Sequence, residues 1–493
     1  MKNKIKLAFL LLMLTSTGLV VNTLRKSSKQ LLVSPITNLM INRLDVSQRL
    51  SGAIQIPTIS TDAGAEKPLN FLIFHKYLAQ QFPLLHKTLK KELINDYSLL
   101  YEWKGSDESL APILLLAHQD VVPIAPGTES QWQFPPFSGV IANGFIWGRG
   151  SWDNKGNLMS MMEAIEILIH NNFKPKRTIY LASGHDEETG PSSGQKGAKA
   201  IAEILIRRGI KLAFVLDEGL LISQKIIKGI DTPVALIGVA EKGYLTLKLT
   251  SETLPGHSSM PSEESAIVSL SRALTNIEQQ QFPPLFSKVV AEMFEKLAPE
   301  FSGLNRLALS NLWLFGPYVR HQFQSQPSTA AMIKTTTAFT TFKSGNKENV
   351  LPGQAEAQVN FRILPGNKID EIIAHTKAAI NNIKIKINKN AYPREPSRIS
   401  QADGNSYLLI EKSIREVFPG TLVAPGLMIA TTDSHHFELV ANNVYRFSPV
   451  RAEQIDLQRF HGTNERVSID NYIEMIQFYY RLMSSSSADS KHL

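Results

Sequence analysis

Histidines and acidic side chains stand at the ends of three apolar runs of the sequence. His118-Gln119-Asp120 follows ILLLA at 113–117, HDEETG at 185–190 follows TIYLAS at 178–183, and Asp217-Glu218-Gly219 follows AFVL at 213–216. Imidazole and carboxylate groups are ligands that suit zinc, manganese and cobalt. Open α/β sheets bind their ligands outside the carboxyl ends of the strands. If the three runs are parallel strands, the sequence predicts one metal site at their common edge.

Two later segments supply further candidate ligands. The glycine-rich run 148–156 (GRGSWDNKG) presents Asp153 just before a predicted helix, and His461 stands in RFHG at 459–462. Glycine lets a backbone turn sharply and approach a site closely. A carboxylate can bridge two ions about 3.5–4 Å apart, and such two-metal sites commonly catalyse hydrolysis. Each motif alone has an ordinary explanation, such as a helix cap or a solvated surface, and only their combination favours metal chemistry.

Composition limits the alternatives. The 493 residues predict two or three domains, and 43% hydrophobic with 19% charged residues is typical of a globular protein. The absence of cysteine excludes disulfides, thiolate zinc sites, iron–sulfur clusters and cysteine nucleophiles. The net charge of +8 is dispersed along the chain without a nucleic-acid-binding motif, so we expect no nucleic-acid partner. Loose attraction to an anionic membrane remains open.

The N-terminus resembles an export signal. Lys2, Lys4 and Lys6 precede an apolar run over 7–21, and Arg25 follows it. This is the charged and apolar order of a secretory signal, although the run is shorter than the ~20 residues of a comfortable membrane span. No clean small-x-small cleavage site follows. The pattern predicts an exported protein, carrying either a cleaved signal peptide or an uncleaved membrane anchor.

Alternating apolar and amphipathic stretches predict an α/β fold in which helices flank a mostly parallel central sheet. A change to half-exposed strands near residue 244 predicts an inserted α+β open-faced sandwich. The predicted strands are 113–117, 178–183, 213–216, 244–250, 335–342, 355–363 and 383–387, and the predicted helices are 158–169, 198–208, 266–278 and 370–380. The predicted domains are a signal or anchor (1–24), a tether (25–44), a catalytic domain in two parts (45–242 and 391–485), the lid (243–390, with a helical insert at about 281–334) and a disordered tail (486–493).

The order of the motifs resembles the di-zinc exopeptidase and amidohydrolase family of carboxypeptidase S, aminoacylase-1, glutamate carboxypeptidase and succinyl-diaminopimelate desuccinylase. Similarity is greatest to carboxypeptidase S and to the secreted N-fatty-acyl-amino acid hydrolase/synthase, over roughly residues 45–485. The motifs that carry it are LLLAHQDVVP, FIWGRGSWDNKG, GHDEETG, LDEG, GHSS, NVLPG, FRILPG, TTDSHHF and RFHG.

The resemblance implies two Zn²⁺ ions, with Co²⁺ or Mn²⁺ as substitutes. It assigns His118 and Asp217 to the first ion, Asp153 to a bridge from the first ion to the second, and Glu188 and His461 to completion of the second site.

The resemblance also implies how the site reacts. Asp120 orients His118 through its ring nitrogen, as metal-bound histidines normally require. Glu187 is the general base that takes a proton from a metal-bridging water and passes it to the leaving amine. The product is a free C-terminal amino acid, released from a peptide or from an N-acyl amino acid.

Four further residues match substrate contacts of the family. His257 matches a lid histidine that reaches the active site of a partner subunit in dimeric members, which implies a homodimer formed through the lid. Asn349 matches an oxyanion or substrate contact, Arg362 matches the arginine that binds the α-carboxylate of the substrate, and Gly426 lies where members close the pocket. His435 departs from the pattern, because close relatives often carry arginine there.

The sequence leaves two questions open: which substrate class is used, and whether the protein is a catalyst. Peptides and N-acyl amino acids both remain open. Apolar residues of the insert, such as Phe286 and Leu314, would either hold an acyl chain or form core. A non-catalytic binding ectodomain is the remote alternative. The sequence contains no H-E-x-x-H motif, so a zinc protease of that type is not supported.

Overall fold

The computed structural model describes residues 2–487, so the predicted tail lies outside the described residues beyond Ser487. The helices are α1 Lys2–Arg25, α2 Arg43–Ile54, α3 Pro68–Gln81, α4 Pro83–Thr88, α5 Lys155–His170, α6 Ala198–Arg207, α7 Ala266–Gln279, α8 Lys288–Leu297, α9 Gly303–Ser310, α10 Leu312–Gln324, α11 Pro327–Ile333, α12 Ile369–Ile380, α13 Asn405–Val417 and α14 Ile469–Ser486. The strands are β1 Ser60–Thr61, β2 Gly64–Ala65, β3 Lys90–Ile94, β4 Ser98–Trp103, β5 Ile113–Leu116, β6 Ile141–Ala142, β7 Phe145–Trp147, β8 Ile179–Ser183, β9 Phe214–Ser223, β10 Val234–Glu241, β11 Gly243–Glu252, β12 Gly256–His257, β13 Thr336–Ser344, β14 Val350–Leu351, β15 Gln354–Ile363, β16 Lys386–Lys389, β17 Leu422–Met428, β18 Val444–Ala452 and β19 Arg466–Ser468.

An eight-stranded sheet forms the centre of the larger part of the molecule, in the order β17-β10-β18-β9-β5-β8-β4-β3. Strands β18, β9, β5 and β8 run parallel to one another at its middle. Every residue of β5 and β8 is buried, as expected for strands covered on both faces. The predicted fold class, α/β with a mostly parallel central sheet between helices, is confirmed.

A second, four-stranded antiparallel sheet has the order β13-β15-β11-β16. Burial alternates along β15, since successive side chains point to opposite faces. Helices α7 and α12 cover the apolar face, where their buried residues share a core with β11 and β15.

The two sheets are joined by a pair of adjacent chain segments. Strand β10 ends at Glu241, and β11 begins at Gly243. The chain returns beside this point, where Tyr244 and Arg394 exchange two backbone hydrogen bonds of 2.8 Å. The Ser397 N–H donates to the Glu241 carbonyl at 3.1 Å. Gly243 has no room for a Cβ, which would lie 2.6 Å from the Arg394 carbonyl oxygen.

Two predicted strands have different limits in the structure. Strand β9 continues past Leu216 to Ser223, because its second half pairs with β18 and β10. The strand predicted over 383–387 begins only at Lys386. Asn381 ends α12 in the left-handed region at φ 45°, and Ile385 N–H donates to the Asn382 carbonyl, so the intervening residues form a turn.

The helical insert packs on the larger sheet. Buried residues of α8, α10 and α11 share a core with β10 and β17. Phe286, Phe294 and Phe323 contact one another edge to face, with ring centroids 5.2–6.4 Å apart. The structure therefore favours core packing over acyl-chain binding for Phe286 and Phe294, whereas Leu314 is 43% exposed.

The N-terminal segment has one helix that leaves its apolar side chains exposed. Within the described residues, α1 alone is long and apolar enough to cross a membrane by length and composition. Residues 26–41 that follow have no regular secondary structure. They lie against the larger part of the molecule. Gln30 Nε2 donates to the carbonyl of Val423 on β17 at 3.0 Å, and Ile36 N–H donates to the carbonyl of Glu416 on α13 at 3.1 Å.

Candidate active site

The predicted ligands of the three strand ends lie at one edge of the large sheet. His118 follows β5, Glu187 and Glu188 follow β8, and Asp217 lies within β9. Strands β8, β5 and β9 are adjacent and parallel. Their carboxyl ends therefore bring these side chains together, as the sequence predicts.

A small antiparallel sheet brings in the remaining two ligands. Strand β19 pairs with β7, with Arg466 opposite Trp147. Asp153 lies shortly after β7, and His461 lies shortly before β19. The pairing thus places two residues that are far apart in sequence beside each other.

Asp153 contacts both histidines of the site. Its Oδ1 lies 2.9 Å from His118 Nε2, and its Oδ2 lies 2.8 Å from His461 Nε2. Glu188 Oε1 lies 3.3 Å from His461 Nε2. Asp153 is 3% exposed, so protein groups rather than water surround its carboxylate.

Asp120 positions the loop after β8. Its two carboxylate oxygens accept the backbone N–H groups of Glu187 at 3.3 Å and of Glu188 at 2.9 Å. Its backbone carbonyl lies 3.0 Å from His118 Nδ1, and its Oδ1 lies 3.4 Å from the same nitrogen. Asp120 therefore contacts the His118 ring and the backbone of both glutamates, and its predicted role in orienting His118 stays a prediction.

Glu218 is a member of the cluster that the sequence argument leaves without a role. Its Oε1 lies 3.3 Å from His118 Nε2. Asp217, the predicted ligand, accepts the Glu218 N–H at Oδ1 over 2.9 Å, while its buried Oδ2 has no hydrogen-bond partner. The signal for Glu218 is its place directly after Asp217 at the end of an apolar run.

Several carboxylates of the site have raised pKa values, and burial is the main cause. Burial raises the pKa of Asp217 to about 6, and burial with the charge of Asp153 raises the pKa of Glu218 to about 8. Burial and the charge of Glu188 raise the pKa of Glu187 well above its usual range. Although burial opposes it, hydrogen bonding to Asp153 and Glu188 raises the pKa of His461 to about 10.

The donor set fits a divalent cation. One ligand atom each from His118, Asp153 and Glu188 lies within 4.8 Å of the others, and the same holds for His118, Glu187 and Glu218. The free oxygen of Asp217 adds a buried acceptor to the same edge. A cation would balance the crowded carboxylates, and nitrogen with oxygen ligands suits zinc, manganese or cobalt.

A buried ion pair that the sequence argument does not single out joins the loops of Asp153 and His461. Glu465 Oε1 accepts the N–H groups of Gly150 and Trp152 at 2.9 Å and of Asp153 at 3.1 Å. Its Oε2 lies 2.6 Å from Arg149 Nη1.

Arg149 completes this link on the other side. Its Nη2 donates to the carbonyls of His461 and Gly462, each at 3.1 Å. His461 has a left-handed backbone at φ 57°, a conformation that surrounding contacts must hold in a residue other than glycine. Arg149 and Glu465 are 2% and 0% exposed.

His257 and Asn349 lie beside each other at the pairing of two short strands. His257 is on β12, which pairs with β14, and Ser258 N–H donates to the Asn349 carbonyl at 3.1 Å. Both residues are exposed. Within residues 2–487, no hydrogen bond or ion pair joins either of them to the ligand cluster.

Arg362 lies in a row of side chains across the smaller sheet. Tyr244 is opposite Arg362 on one side and opposite Arg394 on the other. Directly opposite residues point to the same face, and both guanidinium groups lie near the Tyr244 ring, 4.8 and 5.7 Å from its centroid. Neither arginine has a carboxylate partner among the described residues. Burial, with the charge of Arg394, lowers the pKa of Arg362.

His435 continues this row toward the larger sheet. Arg394 Nη1 lies 3.2 Å from His435 Nδ1, which also lies 2.6 Å from the Thr432 carbonyl oxygen. Gly426 lies inside β17, where a Cβ would be 2.5 Å from Leu220 Cδ1. Close packing accounts for this glycine, and its predicted substrate contact stays a prediction.

Comparison with known proteins decides the family. Residues 114–485 match the family model described as peptidase family M20/M25/M40. The chain belongs to this family. It is therefore a peptide or amide hydrolase, and the resemblance inferred from the motifs is confirmed.

Two curated proteins illustrate the M20 relationship. The chain is 40% identical to the probable carboxypeptidase S-like 2 of Dictyostelium discoideum over 95% of this chain and 91% of that one. It is 40% identical to the N-fatty-acyl-amino acid synthase/hydrolase PM20D1 of Xenopus tropicalis over 91% and 87%. The solved M20 family metallo-carboxypeptidase Sso-CP2 of Sulfolobus solfataricus has the same fold, with a TM-score of 0.66 at 19% identity over 91% of this chain and all of that one.

The contacts of Glu465 predict a positioning role. Glu465→Gln removes the charge that holds three backbone N–H groups and Arg149, and breaking a buried pair costs about 3–5 kcal/mol. We expect zinc affinity to fall about 10–100-fold, as for other residues that support metal ligands. Urea unfolding and competition with a zinc-binding dye measure the two effects.

Glu474→Gln is the matched control, because Glu474 forms a two-bonded pair with Arg451, 2.7 and 2.9 Å long, outside the ligand cluster. Zinc affinity equal to that of wild type in Glu465→Gln would show that the loops hold their positions without this charge.

Proposed function

We propose that this M20 protein releases a C-terminal amino acid from short peptides or N-acyl amino acids, with two zinc ions held at the strand-end cluster. The observation that carries the proposal is Asp153, whose two oxygens face His118 and His461 beside the glutamates that follow β8. A carboxylate with one histidine at each oxygen is suited to lie between two ions. His118 and Asp217 would complete one ion site, and Glu188 and His461 the other.

Each ion would supply Lewis-acid polarisation of the amide carbonyl and would lower the pKa of a water to ~7. Glu187 would act as the general base. It lies on the loop held by Asp120, is partly exposed, and has a carboxylate oxygen within 4.8 Å of a His118 ring nitrogen. It would accept a proton from the attacking water and donate that proton to the leaving nitrogen as the C–N bond breaks.

Arg362 and Arg394 support a docking place for a free α-carboxylate. Two guanidinium groups beside one tyrosine ring, without carboxylate partners in the described chain, suit an anionic substrate group. Because they lie next to the connection between the two sheets, they would hold the carboxylate of the substrate beside that connection.

His257 and Asn349 support a homodimer formed through the smaller sheet. Both are exposed in this chain, and β13 at the edge of that sheet exposes Phe339 and Phe342 by 42% and 44%. A second copy would cover such an edge, and His257 would then reach the partner subunit's site to stabilise the oxyanion.

Two observations bear on the substrate and location. The relatives are called carboxypeptidase S-like and N-fatty-acyl-amino acid synthase/hydrolase, and both substrate classes end in a free amino-acid carboxylate. Helix α1 supports export with the catalytic part outside the cytoplasm, and its exposed apolar surface supports membrane anchoring.

Glu187→Gln tests the proposed base. The amide cannot accept the proton of water, so kcat should fall about 10²–10⁴-fold, the usual range for a general base. Metal content by mass spectrometry and Tm should stay near wild type. Glu203→Gln, an exposed glutamate on α6, is the matched control. A Glu187→Gln protein with wild-type kcat would remove the base and revive the binding-protein alternative.

Acid and amide forms of the same substrate test the proposed anchoring. N-oleoyl-leucine and benzyloxycarbonyl-Gly-Leu should each be cleaved at least ~10-fold faster than their C-terminal amides, because a hydrogen bond to a charged group contributes about 1.5–3 kcal/mol. Arg394→Met should raise KM for the acids, leave kcat little changed, and reduce the difference between acid and amide.

The faster of the two acids assigns the substrate class, either N-acyl amino acids or peptides. Equal rates for acids and amides would contradict recognition of a free carboxylate, whichever class is preferred.

A further inference from the structure

We propose that α9 and α10 rest on the lipid bilayer beside α1, through an exposed apolar patch formed by Leu304, Trp313, Leu314 and Tyr318. The inference rests on the proposed anchoring of the chain by α1. It assigns a second membrane contact to the catalytic part itself and names the surface that makes it.

The last turns of α1 are fixed to the junction between α9 and α10. Asn311, fully buried at this junction, donates to Thr23 Oγ1 at 3.0 Å and to the Leu19 carbonyl at 3.4 Å. Asn22 Nδ2 donates to the Ser310 carbonyl at 3.1 Å and to Asn311 Oδ1 at 2.8 Å. Removal of α1 would leave the Asn311 side chain with fewer partners, which favours an uncleaved helix.

These contacts determine how deep in the membrane the junction between α9 and α10 would lie. Helix α1 has 24 residues and is about 36 Å long at 1.5 Å per residue, but its apolar run over 7–21 covers only about 22 Å. To cross a hydrocarbon core of about 30 Å, the side chains of Lys4 and Lys6 would extend along the helix to the far interface. Its apolar run ends at Val21. Leu19–Thr23 would therefore lie at the membrane boundary on the catalytic side, and the α9–α10 junction lies beside them.

The patch follows directly from this junction. Trp313, Leu314 and Tyr318 lie on α10 within two turns of Asn311, with 72%, 43% and 59% exposure, and Leu304 of α9 is 82% exposed. Leu314 and Tyr318 are four residues apart and lie on one helix face, and Trp313 lies about 100° around the helix from Leu314. Tryptophan and tyrosine are enriched where proteins meet the membrane–water interface.

The surroundings of the patch favour lipid as its occupant. The neighbouring phenylalanines of the insert contact one another, so the patch and Leu285 are the large apolar side chains that the described insert leaves exposed. Arg25 and Lys26 follow the apolar run of α1, and basic residues at this place favour anionic headgroups. A bilayer around α1 would reach the patch without any other partner.

Tryptophan fluorescence of the full-length protein in vesicles tests the inference. Of the five tryptophans, the other four are at most 9% exposed, so Trp313 should account for most of the change on lipid contact. The vesicles contain phosphatidylcholine with one part in five phosphatidylglycerol, brominated near either the headgroup end or the methyl end of the acyl chain. We expect Trp313 emission to shift to shorter wavelength and to be quenched at least twofold more by bromine near the headgroup. Trp313→Phe should abolish this difference.

A flotation assay on the same samples separates the two proposals. Protein that does not float with the vesicles removes the anchor. Protein that floats, but whose Trp313 is quenched by iodide and not by bromine at either position of the acyl chain, keeps the anchor and overturns the patch contact. Protein that floats, but whose Trp313 is quenched by neither iodide nor bromine, also overturns it, because a second copy would then cover the patch.

Paired variants give an independent readout. Leu314→Ser/Tyr318→Ser should reduce the quenching of Trp313 at least twofold. Leu69→Ser/Leu72→Ser on α3, with leucines 66% and 44% exposed, should leave it unchanged. Equal effects of the two pairs would contradict a specific contact.

Discussion

The buried carboxylate of Glu465 is the interaction on which the site depends most. It holds the backbone before Asp153 through three N–H groups, and its partner Arg149 holds the carbonyls of His461 and Gly462. A charge in the protein interior is tolerated only when it is paired and hydrogen-bonded, and here both conditions are met by groups that must themselves be fixed. Because the buried Arg149–Glu465 pair must be hydrogen-bonded to both loops, it also fixes Asp153 between the two histidines. The large sheet supplies the other half of the arrangement by aligning the ends of β5, β8 and β9.

Much of this arrangement can be predicted from the sequence, because the ligands stand at the ends of apolar runs that form neighbouring parallel strands. The buried parallel strands are continuous apolar runs, and His118, Glu188 and Asp217 stand at or near their ends. Glu465 has no such signal, since an acid four residues after a histidine in a polar loop is more often solvated. Arg394 is likewise hidden, because its relation to Tyr244 and Arg362 depends on strand pairing between distant segments. The sequence predicts the helical insert, but its packing on β10 and β17 depends on tertiary contacts that the spacing of its apolar residues does not reveal.

The substrate would be held by groups from both sheets. The metal cluster lies at the edge of the larger sheet, and the Arg362–Tyr244–Arg394 row begins where the smaller sheet starts. His435 contacts Arg394 across this boundary. If the arginines bind the carboxylate of the substrate, the paired segments at Glu241 and Arg394 would set its distance from the scissile bond. Such an arrangement would favour an exopeptidase or aminoacylase, since an amide within a long chain has no free carboxylate nearby.

Zinc occupancy tests the central claim most directly. Crystals of the full-length protein grown with zinc should show two anomalous peaks about 3.5–4 Å apart, one on each side of Asp153, and Asp153→Asn should lose at least one of them. The peak near His118 should also lie next to Asp217, and the peak near His461 next to Glu188. A single peak, or peaks away from Asp153, would contradict a shared two-metal site and would require a different mechanism for this hydrolase.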